Sequence, residues 1–255
     1  MPRTVVAVSL GFFLALAIAI PRAVRAQADA IAEGDRLMAE SRTEAAIEAY
    51  RAGLAAYPGD PTILWKTARA ISNLADETPG DGGDEARMEE AVELSRRAVR
   101  AGPGISRAHT TLAASLGKLA LFRGGKRKVE LAREVGREAR RAAELDPQDF
   151  APFAVLGVLE RELATLNPLL KGFASAIFGG VPDASLERSA ALLGRAVRLA
   201  PAYVAPHLEL ARTYVEMDRV DEARAELDKA LALPRRERLD AVLQDRAREL
   251  LRELD

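Results

Sequence analysis

Cysteine is absent from this 255-residue chain, which excludes disulfides, thiolate–zinc sites, cysteine nucleophiles and lipidation on an amino-terminal cysteine. Histidine is scarce: there are only His109 and His207, and neither has a cysteine, a glutamate or the other histidine at metal-ligand spacing. Aromatic residues make up 5% of the chain, so its core must be built from Ala, Leu and Val, a composition that suits helices packed closely on helices. No sign of charge dominates, with 37 basic against 38 acidic residues, and this argues against a nucleic-acid binder working through a strongly basic surface. His-Glu-x-x-His, Gly-x-Ser-x-Gly and the phosphate loop ending in Gly-Lys-Ser/Thr are all missing. With most metal-binding and nucleophilic side chains gone, the sequence predicts a protein without catalysis, metal or cofactor. What is present, 49% hydrophobic residues and 29% charged ones, describes a globular chain.

Residues 1–26 have the pattern of a secretory signal peptide: Arg3 near the start, an uncharged run from Val5 to Ile20, and Val24-Arg25-Ala26 before Gln27. The expected cleavage after Ala26 predicts an exported protein, periplasmic or extracellular, whose mature domain covers 27–255. The alternative is a membrane anchor through residues 5–20. That run is short for a hydrocarbon core of roughly 30 Å at about 1.5 Å per residue.

An internal repeat organises the rest. Helical segments end in a small residue followed by proline at Gly53 to Pro58, Ala98 to Pro103, Ala142 to Pro147, Ala196 to Pro201 and Ala230 to Pro234. Proline lacks an amide donor and clashes with the preceding turn, so each one stops a helix. The spacings between these prolines are 45, 44, 54 and 33 residues, a unit of roughly 34 with insertions. Small and large apolar residues recur in register: Gly34, Leu37, Ala46 and Tyr50 in the first copy; Trp65, Ala68 and Ala91 in the second; Leu112, Ala113 and Ala139 in the third. Phe153, Leu156, Gly157 and Leu193 follow in the fourth copy, and Leu210, Ala211, Tyr214, Ala223 and Leu227 in the fifth. This pattern resembles the tetratricopeptide repeat. The predicted fold is all-α, a tetratricopeptide-like helical solenoid of about five helix pairs, with Arg236 to Leu254 as a C-terminal capping helix. Ser41-Arg42-Thr43-Glu44 is expected as a capping box, with Asp149, Asp183 and Asp218 as further caps.

A narrower resemblance rests on Trp65-Lys66-Thr67-Ala68-Arg69-Ala70, on Ala108-His109 and on Ser175-Ala176-Ile177-Phe178-Gly179-Gly180-Val181-Pro182. From Trp65 to the C-terminus the chain is similar to the regulator of microtubule dynamics family. That resemblance implies a tetratricopeptide-like domain, microtubule association as in some members, and lipid binding or transfer at organelle contacts as in another.

Two segments are candidates for function. Residues 118–141 hold nine basic residues against three glutamates, among them Lys126, Arg127, Lys128, Arg133, Arg137 and Arg141. Arg133, Arg137 and Arg141 share a helix face, and guanidiniums in a row suit phosphate or carboxylate groups; the competing reading is a solvated face paired with its own glutamates. The apolar segment from Leu166 to Pro182 carries Leu169, Leu170, Phe173, Ile177 and Phe178, which either pack on the solenoid and shape a groove or meet a partner or lipid. Asp76, Glu77, Asp81, Asp84, Glu85, Glu89 and Glu90 lie around a Gly-rich stretch without the calcium-ligand ladder, and are expected as loop. The two histidines open the third and fifth copies at matching positions and are expected to be packing residues. The expected function is a scaffold that binds a protein or peptide segment in its concave groove. The alternative is a carrier of lipid or another amphipathic ligand.

Overall fold

The computed structural model describes residues 22–80, 83–166 and 184–254. Among the described residues are eleven α-helices and no strand. Helices α1 (Arg22–Ala39) and α2 (Thr43–Ala56) form the first pair, and α3 (Pro61–Glu77) and α4 (Asp84–Ala101) the second. The third pair is α5 (Ser106–Leu119) with α6 (Gly125–Leu145), joined through a short 3-10 turn at Ala120–Phe122. Helices α7 (Phe150–Ala164) and α8 (Leu186–Leu199) make the fourth pair, α9 (Val204–Glu216) and α10 (Val220–Ala232) the fifth, and α11 (Arg238–Glu253) follows. None of the described helices is long and apolar enough to cross a membrane. Helix α1 runs without interruption past Ala26 and Gln27.

The small residue before each proline does structural work. The first non-helical amide after α2, α4, α6 and α8 donates to the carbonyl of Gly53, Ala98, Ala142 and Ala196 respectively, closing the final turn. Those three alanines and Ala230 are fully buried, since a larger side chain there would hold neighbouring helices apart. Gly34 and Gly157 serve the same end: a Cβ on Gly34 would lie 2.1 Å from the Tyr50 ring, and one on Gly157 would lie 2.5 Å from Leu193. Helix starts are set by Asp60, which accepts from the Ile63 amide ahead of Pro61, by Asp149 and by Ser185. The expected capping box at Ser41 does not form. Ser41 instead takes a left-handed conformation (φ 59°) in the turn, and Asp218 does the same in the fifth copy. Thr43, buried inside α2, gives its hydroxyl to Glu77 at 3.1 Å. Asp183 lies outside the described residues.

Each helix packs on its pair-mate, and the first helices of successive pairs also touch: α1 meets α3, α3 meets α5, α5 meets α7, and α7 meets α9. This continuous stack makes the side with the first helices the inner wall of the solenoid. An ion pair spans every junction along it: Lys66–Asp35 at 2.7 Å, Lys118–Asp76 at 2.5 Å, Arg107–Asp149 at 2.9 Å and Arg161–Glu209 at 2.6 Å.

Candidate functional site

The four proline carbonyls between copies follow a rule of their own. Arg97 donates to Pro58 O at 2.8 Å, His109 lies 3.0 Å from Pro103 O, Arg195 donates to Pro147 O at 3.0 Å, and His207 lies 2.9 Å from Pro201 O. A carbonyl left open by a helix-stopping proline thus meets an arginine from the second helix or a histidine from the first, in alternation. The other ring nitrogen of each histidine faces a glutamate: Glu138 at 2.7 Å for His109 and Glu226 at 2.6 Å for His207. Both rings are buried, and both act as packing and cross-linking groups within a copy.

The feature with most bearing on function is α11. Its apolar side, Leu243 and Ala247, joins Val204, Leu208, Ala211, Leu227 and Ala230 in the core of the fifth copy. The Gln244 amide donates to the carbonyls of Ala230 and Leu233 at 3.1 and 2.8 Å. Its other side returns across the inner wall to α3. There Glu237 accepts from Asn73 at 3.3 Å and lies 3.6 Å from Arg69. Arg238 reaches Glu44 at 3.2 Å and comes within 3.8 Å of Glu77, and Arg246 donates to the Asp76 carbonyl at 3.4 Å. The capping helix therefore bridges the fifth copy to the first two.

Glu77 is the most unusual group beneath it. Its side chain is 0% exposed, Oε1 accepts from Thr43, and Oε2 has no hydrogen bond. Burial pushes its carboxyl above the usual carboxylate range, against the pull of Thr43 and Arg238. Arg69 Nε is likewise buried without a hydrogen-bond partner.

The sequence-predicted residues fall elsewhere. Leu169, Leu170, Phe173, Ile177 and Phe178 lie outside the described residues. Lys126, Arg127 and Lys128 are exposed on the first turn of α6, where Lys126 and Arg127 share Glu130; Arg141 pairs with Glu144 at 3.3 Å, Arg133 is half-buried and Arg137 is exposed. Helix α6 is the second helix of its pair, so these cations are not brought to the inner wall. The acidic stretch expected as loop is helical on both sides of its glycines, with Asp76 and Glu77 ending α3 and Asp84, Glu85, Glu89 and Glu90 opening α4. Its described carboxylates other than Glu77 go to close ion pairs: Asp76 with Lys118, Asp84 with Arg87, Glu85 and Glu89 with Arg123, and Glu90 with Arg51. A cavity of about 240 Å³ opens beside them, floored by Ile47, Ile71 and Leu74 and rimmed by Glu44, Glu48 and Glu90. Sequence reasoning missed Asn73, Arg69, Glu44 and Glu77 as partners of α11.

Stacked antiparallel helix pairs with small residues at the crossings define a tetratricopeptide-repeat solenoid. A thermophilic tetratricopeptide-repeat protein of Thermus thermophilus superposes with a TM-score of 0.64 at 20% identity, over 88% of this chain and 98% of that one. The pilF protein of Pseudomonas aeruginosa does so at 0.54 and 15%, over 91% and 88%. The chain belongs to the family described as regulator of microtubule dynamics protein 1-3, whose model matches residues 30–255, well upstream of the Trp65 start read from the sequence. Regulator of microtubule dynamics protein 1 of Bos taurus is 26% identical over 76% of this chain and 62% of its own length. Protein 3 of Mus musculus is also 26% identical over 76% of this chain, but over only 42% of its own length. The chain thus spans less than two thirds of these relatives.

Proposed function

We propose that this protein is a non-catalytic scaffold whose inner wall takes a helical segment of a partner protein. The observation that carries this reading is α11, a helix already held against that wall by side chains of α2 and α3. Helix-in-groove recognition needs an extended curved surface with residues at helical spacing to read the ligand, and Arg69, Asn73 and Asp76 on α3 supply such a row. Export is part of the proposal, supported by Arg3, the run Val5 to Ile20 and Val24-Arg25-Ala26. Intact mass of protein recovered from its host tests it, and retention of residues 1–20 in the mature form overturns it.

The scaffold reading is tested by photo-crosslinking residues placed at Trp65 and Lys66 on α3 of the inner wall, both partly exposed, and at Arg137 on the outer face. Partner peptides crosslinked from Trp65 and Lys66 support the reading. Crosslinks from Arg137 alone move the site to the basic face of α6. The names of the relatives raise microtubules as the occupant of that face, and co-sedimentation with polymerised tubulin tests that outcome. Native mass spectrometry of the same material separates protein binding from lipid carriage, because a co-purifying lipid adds its own mass.

A further inference from the structure

We propose that α11 is an internal placeholder, and that the wall beneath it is a receptor for a partner helix carrying an acidic residue followed directly by an arginine. This deepens the scaffold reading and rests on it. The two sides of α11 differ in kind. Toward the fifth copy it is anchored by apolar burial and by the Gln244 amide. Toward α2 and α3 no side chain of α11 joins the apolar cluster of the first two copies, and ion pairs and hydrogen bonds link the two. Its charges are half in water, with Arg238 39% and Glu44 58% exposed, the class of pair that holds weakly and is screened by salt.

The fit is also incomplete. Arg238 stops 3.8 Å short of Glu77, whose buried Oε2 accepts nothing, and Arg69 leaves a buried Nε unused above Glu237. Charge-assisted hydrogen bonds are at their strongest near 2.7 to 2.9 Å, and a buried charged oxygen left open is costly. A helix free of the tether to the fifth copy can bring its guanidinium onto Glu77 and its carboxylate onto Arg69. Such a ligand competes with α11, which enjoys the high local concentration of a tethered segment but a poorer fit. The wall thus selects by charge order: Arg69 and Asn73 take the acid, and Glu77 and Glu44 take the base.

The test uses the full chain and a fluorescent synthetic peptide of residues 234–254 as the probe helix. Glu237 also caps α11 through a capping box with Asp240, so it is replaced by a residue that still caps: Glu237→Ser with Arg238→Ala weakens the placeholder at the wall while leaving Leu243, Gln244 and Ala247 in place. This variant should bind the probe at least tenfold more tightly than the unaltered chain. A probe bearing the same two substitutions should lose that gain. Adding Glu77→Gln should remove most of the binding while circular dichroism shows unchanged helix content. If that variant unfolds, Asn73→Ala, which removes only the donor to Glu237, should lower affinity severalfold in its place. Equal probe affinity for the unaltered chain and the double variant overturns the placeholder but leaves the scaffold reading standing. No binding of the probe to the double variant likewise overturns the placeholder, and if crosslinks from the inner wall are also missing the scaffold reading falls with it. A dimer of the unaltered chain that the double substitution abolishes shows that the occupant is a second copy, and overturns the partner helix.

Discussion

The Nδ1 of His207 lies 2.6 Å from a Glu226 carboxylate oxygen while its Nε2 lies 2.9 Å from the carbonyl of Pro201. Both neighbours are acceptors, and a neutral imidazole has only one N–H to give. The arrangement is satisfied when the ring carries both protons and Glu226 is ionised, an ion pair buried between α9 and α10. The ring of His109 has the same two kinds of neighbour between α5 and α6, Glu138 at 2.7 Å and the Pro103 carbonyl at 3.0 Å.

A pH dependence of stability follows. Burial opposes the charged form of His207, but the hydrogen bonds to Glu226 and Pro201 outweigh it and raise the pKa above 6.5; Lys229 works weakly against them. A raised folded-state value means that the stabilisation is complete below about 6.5 and is lost as pH climbs through the folded value. Glu226 moves the other way: despite burial, His207 and Lys229 hold it below 4.5, so its share persists above that pH and is lost as pH falls through the lowered value. The urea midpoint should therefore be higher near pH 5.5 than near pH 8.5. His207→Gln should flatten that slope, and a slope unchanged by the substitution would show that the pair does not carry it.

Adjacent positions on α8 should respond very differently to leucine. Ala196 is 0% exposed at the crossing of helices, so Ala196→Leu overpacks it, at a cost of about 1 to 3 kcal/mol. Arg195 is exposed, yet it stacks 3.8 Å over the Phe153 ring as well as capping Pro147 O. Arg195→Leu should thus cost roughly 0.5 to 1 kcal/mol rather than nothing. Chemical denaturation of the two variants gives the ordering directly.

Gly34→Ala should destabilise the first copy by about 1 to 3 kcal/mol, because the new methyl lands on the Tyr50 ring. That ring cannot move aside freely, since its hydroxyl donates to Asp35 at 2.6 Å and Asp35 also holds Lys66. A melting temperature equal to that of the unaltered chain would mean that Tyr50 repacks.

Much of the fold was legible because it repeats. Small residues before each proline gave the helix ends, and the matching positions of His109 and His207 gave their shared packing role. Their partners were not legible: the insertion in the third copy stretches the histidine-to-glutamate separation from 19 to 29 residues, which hides the equivalence of Glu138 and Glu226. Ser41 resembled a cap because its sequence neighbourhood fits one, but a tight connection between α1 and α2 demands a left-handed residue there. The return of α11 to α2 and α3 could not be read at all. Arg238 and Glu44 are 194 residues apart, and no local pattern encodes the curvature that brings the fifth copy back towards the first.

The junction between the fourth and fifth copies supplies the sharpest mutational test of the ion-pair ladder. Arg161 is buried, donates to Glu209 Oε2 at 2.6 Å and to the Glu209 carbonyl at 3.0 Å, and so ties α7 to both the side chain and the backbone of α9. Arg161→Ala removes these bonds and leaves a largely buried carboxylate, a change that typically costs about 3 to 5 kcal/mol. Arg212, 2.9 Å from the same carboxylate, still neutralises it, which places the expected loss near the lower end of that range. Removing both charges with Arg161→Met and Glu209→Leu should recover part of the loss, because no uncompensated charge is then buried. Lys66→Ala at the first junction should cost less, since Asp35 is 43% exposed and water can replace the ammonium. Equal losses for Arg161→Ala and Lys66→Ala would mean that burial does not grade the rungs of the ladder, and that the junctions are held by apolar packing alone.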